Sequence, residues 1–351
     1  MKKILGMLFL ACIMAFFGCK KDDSVSGQGD TNDCFYFEAV DAGAVVSMVK
    51  YAKNEDAYKA PDVSLEYSLD KFNWLPFVVG ETNVSLDNFG DKVYIRANGI
   101  NTTFYSFFFD DNDEDWFEIY RFSASGHVNV GGNIMYLLDG TGKKTEFDTL
   151  SNKYVFGCLF DGMNKLTDAS KLALPAKTLA VGCYQGMFRQ CTSLTIAPEL
   201  PATTLAESCY YGMFEECTSL IVAPELPATT LAFNCYGSMF EECTSLTVAP
   251  ELPATTLVDV CYINMFSGCT SLTVAPKMLA TTLADDGCYE MFKGCSSLQS
   301  IEVNFTEWTE YGTTRWLEGV SATGTFTCPA ELDITKRGDS RIPEGWTIVT
   351  K

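Results

Sequence analysis

A single histidine, His127, stands in 351 residues, and there is no Cys-x-x-Cys pair, nucleophile elbow, Walker loop or zinc signature. Those absences remove most routes to acid–base, phosphoryl-transfer and metal chemistry. No catalytic residue, metal site or cofactor is therefore expected. A paired-carboxylate glycosidase is the residual enzyme reading, because 45 acidic residues offer many pairs. Positive charge is scarce: 25 Lys and Arg against 45 Asp and Glu give a net −20, which argues against nucleic acid as a partner. Long apolar runs are missing beyond the first 18 residues, so no later segment reads as a membrane span.

What is abundant is repetition. Cys183-Tyr184, Met187-Phe188, Cys191 and Leu194 form a frame that returns at Cys209, Met213, Phe214, Cys217 and Leu220. It comes back again from Cys235, from Cys261 and, with one residue deleted, from Cys288. Between copies runs Ala-Pro-Glu-Leu-Pro-Ala-Thr-Thr-Leu, intact at 197–205, 223–231 and 249–257 and altered at 275–283. One such unit cannot bury its apolar face alone, so a period of 26 residues implies stacking into a solenoid with a continuous core.

Each coil can be read locally. Leu194 and Ile196 alternate with Thr195 and Ala197, the period of a short strand that Pro198 and Pro201 then end. Thr204, Thr256 and Thr282 stand three residues before Glu207, Asp259 and Asp285, a capping-box spacing. Leu205, Cys209, Met213 and Cys217 follow at i, i+4, i+8 and i+12, one face of a helical turn. Tyr154 to Lys177 is a degenerate first coil, and the segment beyond Leu298, with Trp308 and Trp316, reads as a closing cap.

The frame Phe214-x-x-Cys217-x-x-Leu220 resembles the BspA-like bacterial leucine-rich repeats of surface proteins, and the Met-Phe pair resembles a mycoplasmal surface repeat. The resemblance covers residues 154–298 and implies a surface-exposed binding protein. This unit is longer and richer in proline than the usual BspA-like one.

Residues 1–18 read as an export signal: Lys2 and Lys3, then an apolar run to Phe17 too short to span a bilayer comfortably. Phe16-Phe17-Gly18-Cys19 is similar to a lipobox, which implies lipidation of Cys19 and anchoring to outer-membrane lipid. Lys21, Asp22 and Asp23 resemble the Bacteroidetes signal that sends lipoproteins to the outer face of the outer membrane. The alternative is an ordinary secretory signal with Cys19 incidental. Residues 19–33 form a polar tether. Residues 34–145 change composition, with alternating apolar positions such as Val93 and Ile95 and turn signals at Gly80, Asn88-Phe89-Gly90 and Ser125-Gly126. They predict a β-sandwich and resemble the N-terminal module of gut Bacteroides repeat proteins. The expected fold is α+β: a sandwich at 34–145, a leucine-rich-repeat solenoid of short strand plus helical turn at 146–300, and a C-terminal cap at 301–351.

Fifteen cysteines in an exported chain suggest disulfides, yet ten are the two per good repeat. If each coil carries a helical turn, equivalent cysteines lie roughly 8–10 Å apart, beyond the roughly 7 Å reach of a disulfide. Buried thiols are the favoured reading, with bridges and metal sites as alternatives. Asp110 to Asp115 fits the first spacings of a calcium loop but lacks its glycine and its bidentate acid, so it reads as a solvated hairpin.

Positions that vary while their neighbours repeat are free of stacking constraint and point outward. Tyr211, Glu215, Glu241 and Ile263 are such positions, and they are the candidate ligand-binding residues. The expected function is non-catalytic binding or adhesion to a host extracellular protein or glycan at the cell surface. The alternative is a glycan-capture lipoprotein of a polysaccharide-utilisation system.

Overall fold

The computed structural model describes residues 34–53, 62–109, 115–140 and 148–351. Cys19, Lys21, Asp22 and Asp23, and most of the acidic run (110–114), lie outside the described residues.

The first half of the chain is strand. In chain order come β1 (Tyr36–Ala39), β2 (Ala44–Lys53), β3 (Leu65–Ser68), β4 (Leu75–Phe77), β5 (Asn83–Leu86) and β6 (Lys92–Ala97). There follow β7 (Tyr105–Phe109), β8 (Asp115–Ala124), β9 (Val128–Asn133) and β10 (Leu166–Ala173). One sheet has the order β10-β9-β1-β6-β3-β4 and the other β5-β2-β8-β7. Period-two patterning sets which side each strand buries: Val93, Ile95 and Ala97 of β6 point inward, as do Val84 and Leu86 of β5. Aromatic rings join the sheets, with Phe37 of β1 edge-on to Phe122 of β8 at 5.1 Å and Phe35 stacked on the same ring at 5.6 Å. Phe160, from the next part of the chain, enters this cluster 6.0 Å from Phe122.

The α+β expectation fails in the second half. Among the described residues there is no α-helix, and the only helical segment is one 3-10 turn at Ile134–Leu137. Strand-plus-helical-turn coils of a leucine-rich-repeat solenoid are not what the repeats form. The amides of the repeats alternate between two duties instead. Cys183, Gln185, Met187, Arg189 and Cys191 donate to the carbonyl three residues back, at 3.0–3.3 Å, closing overlapping turns. Tyr184, Gly186, Phe188 and Gln190 donate across to Cys209, Tyr211, Met213 and Glu215 of the next copy, at 2.8–3.0 Å. Every fourth residue takes a left-handed backbone, as at Gly182 (φ 59°), Gly186 (φ 59°) and Gln190 (φ 58°). An α-helix permits neither that φ nor such amide pairing. Because the turn unit is four residues long, it reproduces the i, i+4 apolar spacing of a helix, which is why Leu205, Cys209, Met213 and Cys217 mimic one. Thr204, Thr256 and Thr282 have no helix to cap.

The strand half of the coil is also reduced. Only isolated bridges form there, such as Asp168 with Ile196 and Val222 with Val248. Leu194 is fully buried while Ile196 is half-exposed, so the two do not share an inward face.

Copies therefore stack at close to strand spacing rather than helix spacing. Phe160, Phe188, Phe214, Phe240, Phe266 and Phe292 form a ring ladder with centroids 5.1–5.6 Å apart. Tyr184, Tyr210, Tyr236 and Tyr262 form a second at 5.8–6.1 Å. This overturns the separation argument against disulfides, since the copies stand closer than packed helices would. The twelve cysteines from Cys158 to Cys328 are nonetheless free thiols. Cys217, Cys243 and Cys269 each point Sγ at the carbonyl of Phe188, Phe214 or Phe240, 3.1 Å away. Burial pushes their thiols upward, as it pushes that of Cys183 to about 12, and so disfavours the thiolate at neutral pH.

Beyond Leu298 the column continues. Cys288, Glu290, Phe292 and Gly294 donate to Gly312, Thr314, Trp316 and Glu318, one residue short of the earlier offset. Trp316 thus stands where Met291 stands one copy earlier, its indole donating to the Arg341 carbonyl at 2.9 Å. A parallel sheet of β11 (Ser300–Glu302), β12 (Thr325–Cys328) and β13 (Thr347–Thr350) runs down the opposite side of these last turns.

Candidate functional site

The turn ladder has an inner and an outer side because of its four-residue unit: in one copy Cys183, Tyr184, Met187 and Phe188 are buried, while Gln185, Arg189 and Gln190 reach the surface. Repeating that every 26 residues builds two outer columns. One carries Gln185, Tyr211, Gly237, Ile263 and Tyr289; the other carries Arg189, Glu215, Glu241, Ser267 and Lys293. The four candidate residues Tyr211, Glu215, Glu241 and Ile263 thus share one face, and each is half-buried.

They are packed more than their variability suggests. A β-carbon on Gly237 would stand 2.9 Å from Cγ2 of Ile263 and 3.0 Å from Cδ2 of Tyr211, so those two side chains converge over the glycine and form one apolar strip. Glu215 and Glu241 lie beside it, and burial raises both carboxyls above their ordinary value, for Glu215 against the opposing pull of Arg189. Cationic groups bracket the acids. At one end Lys293 and Arg315 each reach Glu290 at 2.7 Å. At the other, Arg189 grips Asp161 with Nε at 2.9 Å and Nη2 at 3.1 Å, and Arg121 of β8 approaches the same carboxylate at 3.4 Å.

That second end opens into a cleft of about 510 Å3 between the sheet of β2, β7 and β8 and the first two copies. Tyr51 of β2 stacks on Phe117 of β8 at 5.8 Å and forms one wall. The Arg121 guanidinium lies 6.0 Å from the Tyr51 ring, and Gln185 and Arg189, the heads of the two outer columns, form the far wall. Face and cleft are therefore continuous. Cys158 faces the cleft with its thiol pushed up to about 12 by burial and is unreactive.

Sequence reasoning missed the cleft. Its one legible sign was that aligning Phe160 with Phe188 sets Asp161 against Arg189, opposite charges one copy apart; Tyr51 and Arg121 carried none, because only sheet register brings them there. His127, the lone histidine, sits on the surface with Nδ1 2.7 Å from Asp41. No group of three or more His, Cys, Asp or Glu among the described residues is placed to hold a metal ion. The acids Glu199, Glu225 and Glu251 are exposed. Compared with known protein families, curated proteins and solved structures, the chain matches none.

Proposed function

We propose that the chain is a cell-surface-anchored, non-catalytic binding or adhesion protein whose outer face holds a host extracellular protein or a glycan. The observation that carries this reading is the continuity of that face: Tyr211, Glu215, Glu241 and Ile263 vary where their neighbours repeat, share one side of the stack, and lead into the cleft through Gln185 and Arg189. An extended face beside a cleft suits capture of a long ligand. Anchoring through a lipidated Cys19, with export directed by Lys21, Asp22 and Asp23, is supported by the short apolar signal that precedes them.

A second reading, a glycan-capture lipoprotein of a polysaccharide-utilisation system, is favoured by the aromatic and arginine lining of the cleft. Both readings are tested by replacing Tyr211, Glu215, Glu241 and Ile263 together with alanine and measuring adhesion of cells to matrix protein, mucin and immobilised glycans. A folded variant that adheres as well as the wild type refutes the outer face as the site. Turnover of any glycan by the purified wild type refutes the non-catalytic reading.

A further inference from the structure

The cleft at the head of the outer face has a composition unlike the rest of the surface. The molecule carries a net −20, yet here two guanidinium groups share one carboxylate. Asp161 is only 6% exposed and already accepts from Arg189 and Arg121, so its lone pairs are committed to the protein. Arg189 spends Nε and Nη2 on it, and Arg121 spends Nη1. Nη1 of Arg189 and Nε and Nη2 of Arg121 have no protein acceptor among the described residues, and Glu215, next in the column, forms no ion pair with Arg189. Among the described residues several guanidinium donors are thus left facing the cleft, with Glu215 acting on Arg189 only through space.

The opposite wall is aromatic. Tyr51 is backed by Phe117 at an interplanar angle of 25°, and it is 53% exposed. The ring is held by Phe117 and approached by the Arg121 guanidinium at 6.0 Å, and the half of its surface that stays exposed offers an apolar contact of low ordering cost beside a cation. The volume of about 510 Å3 falls within the roughly 300–1,000 Å3 typical of small-ligand sites. A sugar ring offers an apolar C–H face for such a contact and a rim of hydroxyls for planar donors such as Arg121, Arg189 and the Gln185 amide. A carboxylate on that ring matches the uncommitted guanidinium edges, where charge-assisted bonds are the strongest available.

We propose that this cleft binds an acidic saccharide, with Tyr51 stacking on a sugar ring and Arg121 and Arg189 receiving its carboxylate. Asp161 acts as the positioning residue that holds both guanidiniums in place. A lone carboxylate is not enough for binding, because the acidic surround repels small anions and the Tyr51 ring has nothing to stack on. The proposal deepens the binding-protein reading and rests on it in one respect, that the sugar leaves unchanged.

Calorimetric titration of the purified full-length protein in detergent provides the test, with tetragalacturonate, its neutral counterpart galactotetraose, and acetate as probes. Tetragalacturonate is expected to bind saturably, galactotetraose at least about tenfold more weakly, equivalent to about 1.4 kcal/mol, and acetate undetectably. Tyr51→Ala, an exposed change, removes binding, while Arg121→Gln and Arg189→Gln erase the preference for the acidic sugar. Arg121→Lys keeps the charge and the fold but loses the fork, and it lowers affinity for tetragalacturonate without affecting galactotetraose. Absence of tetragalacturonate binding, equal binding of both oligosaccharides, or full binding by folded Tyr51→Ala overturns the proposal. Chromatography of the recovered oligosaccharide separates the two claims: shortened chains after saturable, Tyr51-dependent binding sink the non-catalytic reading and leave the cleft assignment standing.

Discussion

Phe240 sits at the middle of the phenylalanine ladder and has no exposed surface. Phe214 stacks on one face at 5.6 Å and 3°, and Phe266 on the other at 5.6 Å and 11°. Its amide donates to the Met265 carbonyl at 2.9 Å, and its carbonyl receives Sγ of Cys269 at 3.1 Å, so the backbone is held independently of the ring. Phe240→Ala therefore leaves a cavity that the copies on either side cannot close without breaking those bonds. The expected loss is about 3–5 kcal/mol, the transfer and cavity cost of a fully buried ring. Phe240→Leu keeps most of the apolar volume but gives up two ring stacks worth about 0.5–1.5 kcal/mol each, so roughly 1–3 kcal/mol is expected. Val248→Ala, on a side chain 53% exposed, is the control and should stay within about 0.5 kcal/mol. Thermal melts followed by circular dichroism read the series: at roughly 2–4 °C per kcal/mol, alanine at 240 lowers the midpoint by about 6–20 °C. A drop for Phe240→Ala no larger than for Val248→Ala refutes the buried ladder. A leucine variant as stable as the wild type refutes the ring-stacking contribution alone.

Two further predictions rest on the same geometry and a third on the sequence. Deleting Leu205 to Thr230, one period, rejoins equivalent positions and should leave a cooperative melt, whereas deleting Leu205 to Cys217 carries polar residues into the inner columns and should abolish it; equal damage from the two contradicts the 26-residue bonding pattern. Glu215 and Glu241 have carboxyls raised above the ordinary value of 4.5 by burial, so the folded state holds their protons more tightly than the unfolded one. Their contribution to stability is thus greatest at low pH and is lost as pH rises through the raised values. Glu241→Gln should accordingly melt higher than the wild type at neutral pH and equally at a pH below 4.5, and a gain that persists in acid argues against the ionised carboxylate as the cause. Cys19→Ala should release the protein from the membrane fraction, and the wild type should be removed from intact cells by protease; membrane retention of the variant refutes lipid anchoring, and resistance to shaving refutes surface exposure.

The amino-acid sequence by itself determined that copies recur every 26 residues, that Cys, Met, Phe and Leu of each copy point inward, and that Tyr211, Glu215, Glu241 and Ile263 do not. Those facts follow from solvation, which acts residue by residue and leaves its mark in any one copy. The backbone path was not legible, because Leu205, Cys209, Met213 and Cys217 satisfy both a helix and a chain of four-residue turns, and only bonding between copies separates the two. Left-handed positions were marked by glycine at 182, 186 and 212 but hidden at Gln190, Glu216 and Val260, where φ is 52–58° without one. At Val260 a β-branched side chain is held in a conformation it disfavours, so the stack overrides local preference there. The distance between copies was likewise decided by tertiary structure, since strand-like amide pairing brings them closer than helix packing allows. The cleft depended on it for its other wall: repeat alignment pairs Asp161 with Arg189, but no periodicity links them to Tyr51 and Arg121, which they meet only when a β-sheet packs against the first turns of a ladder.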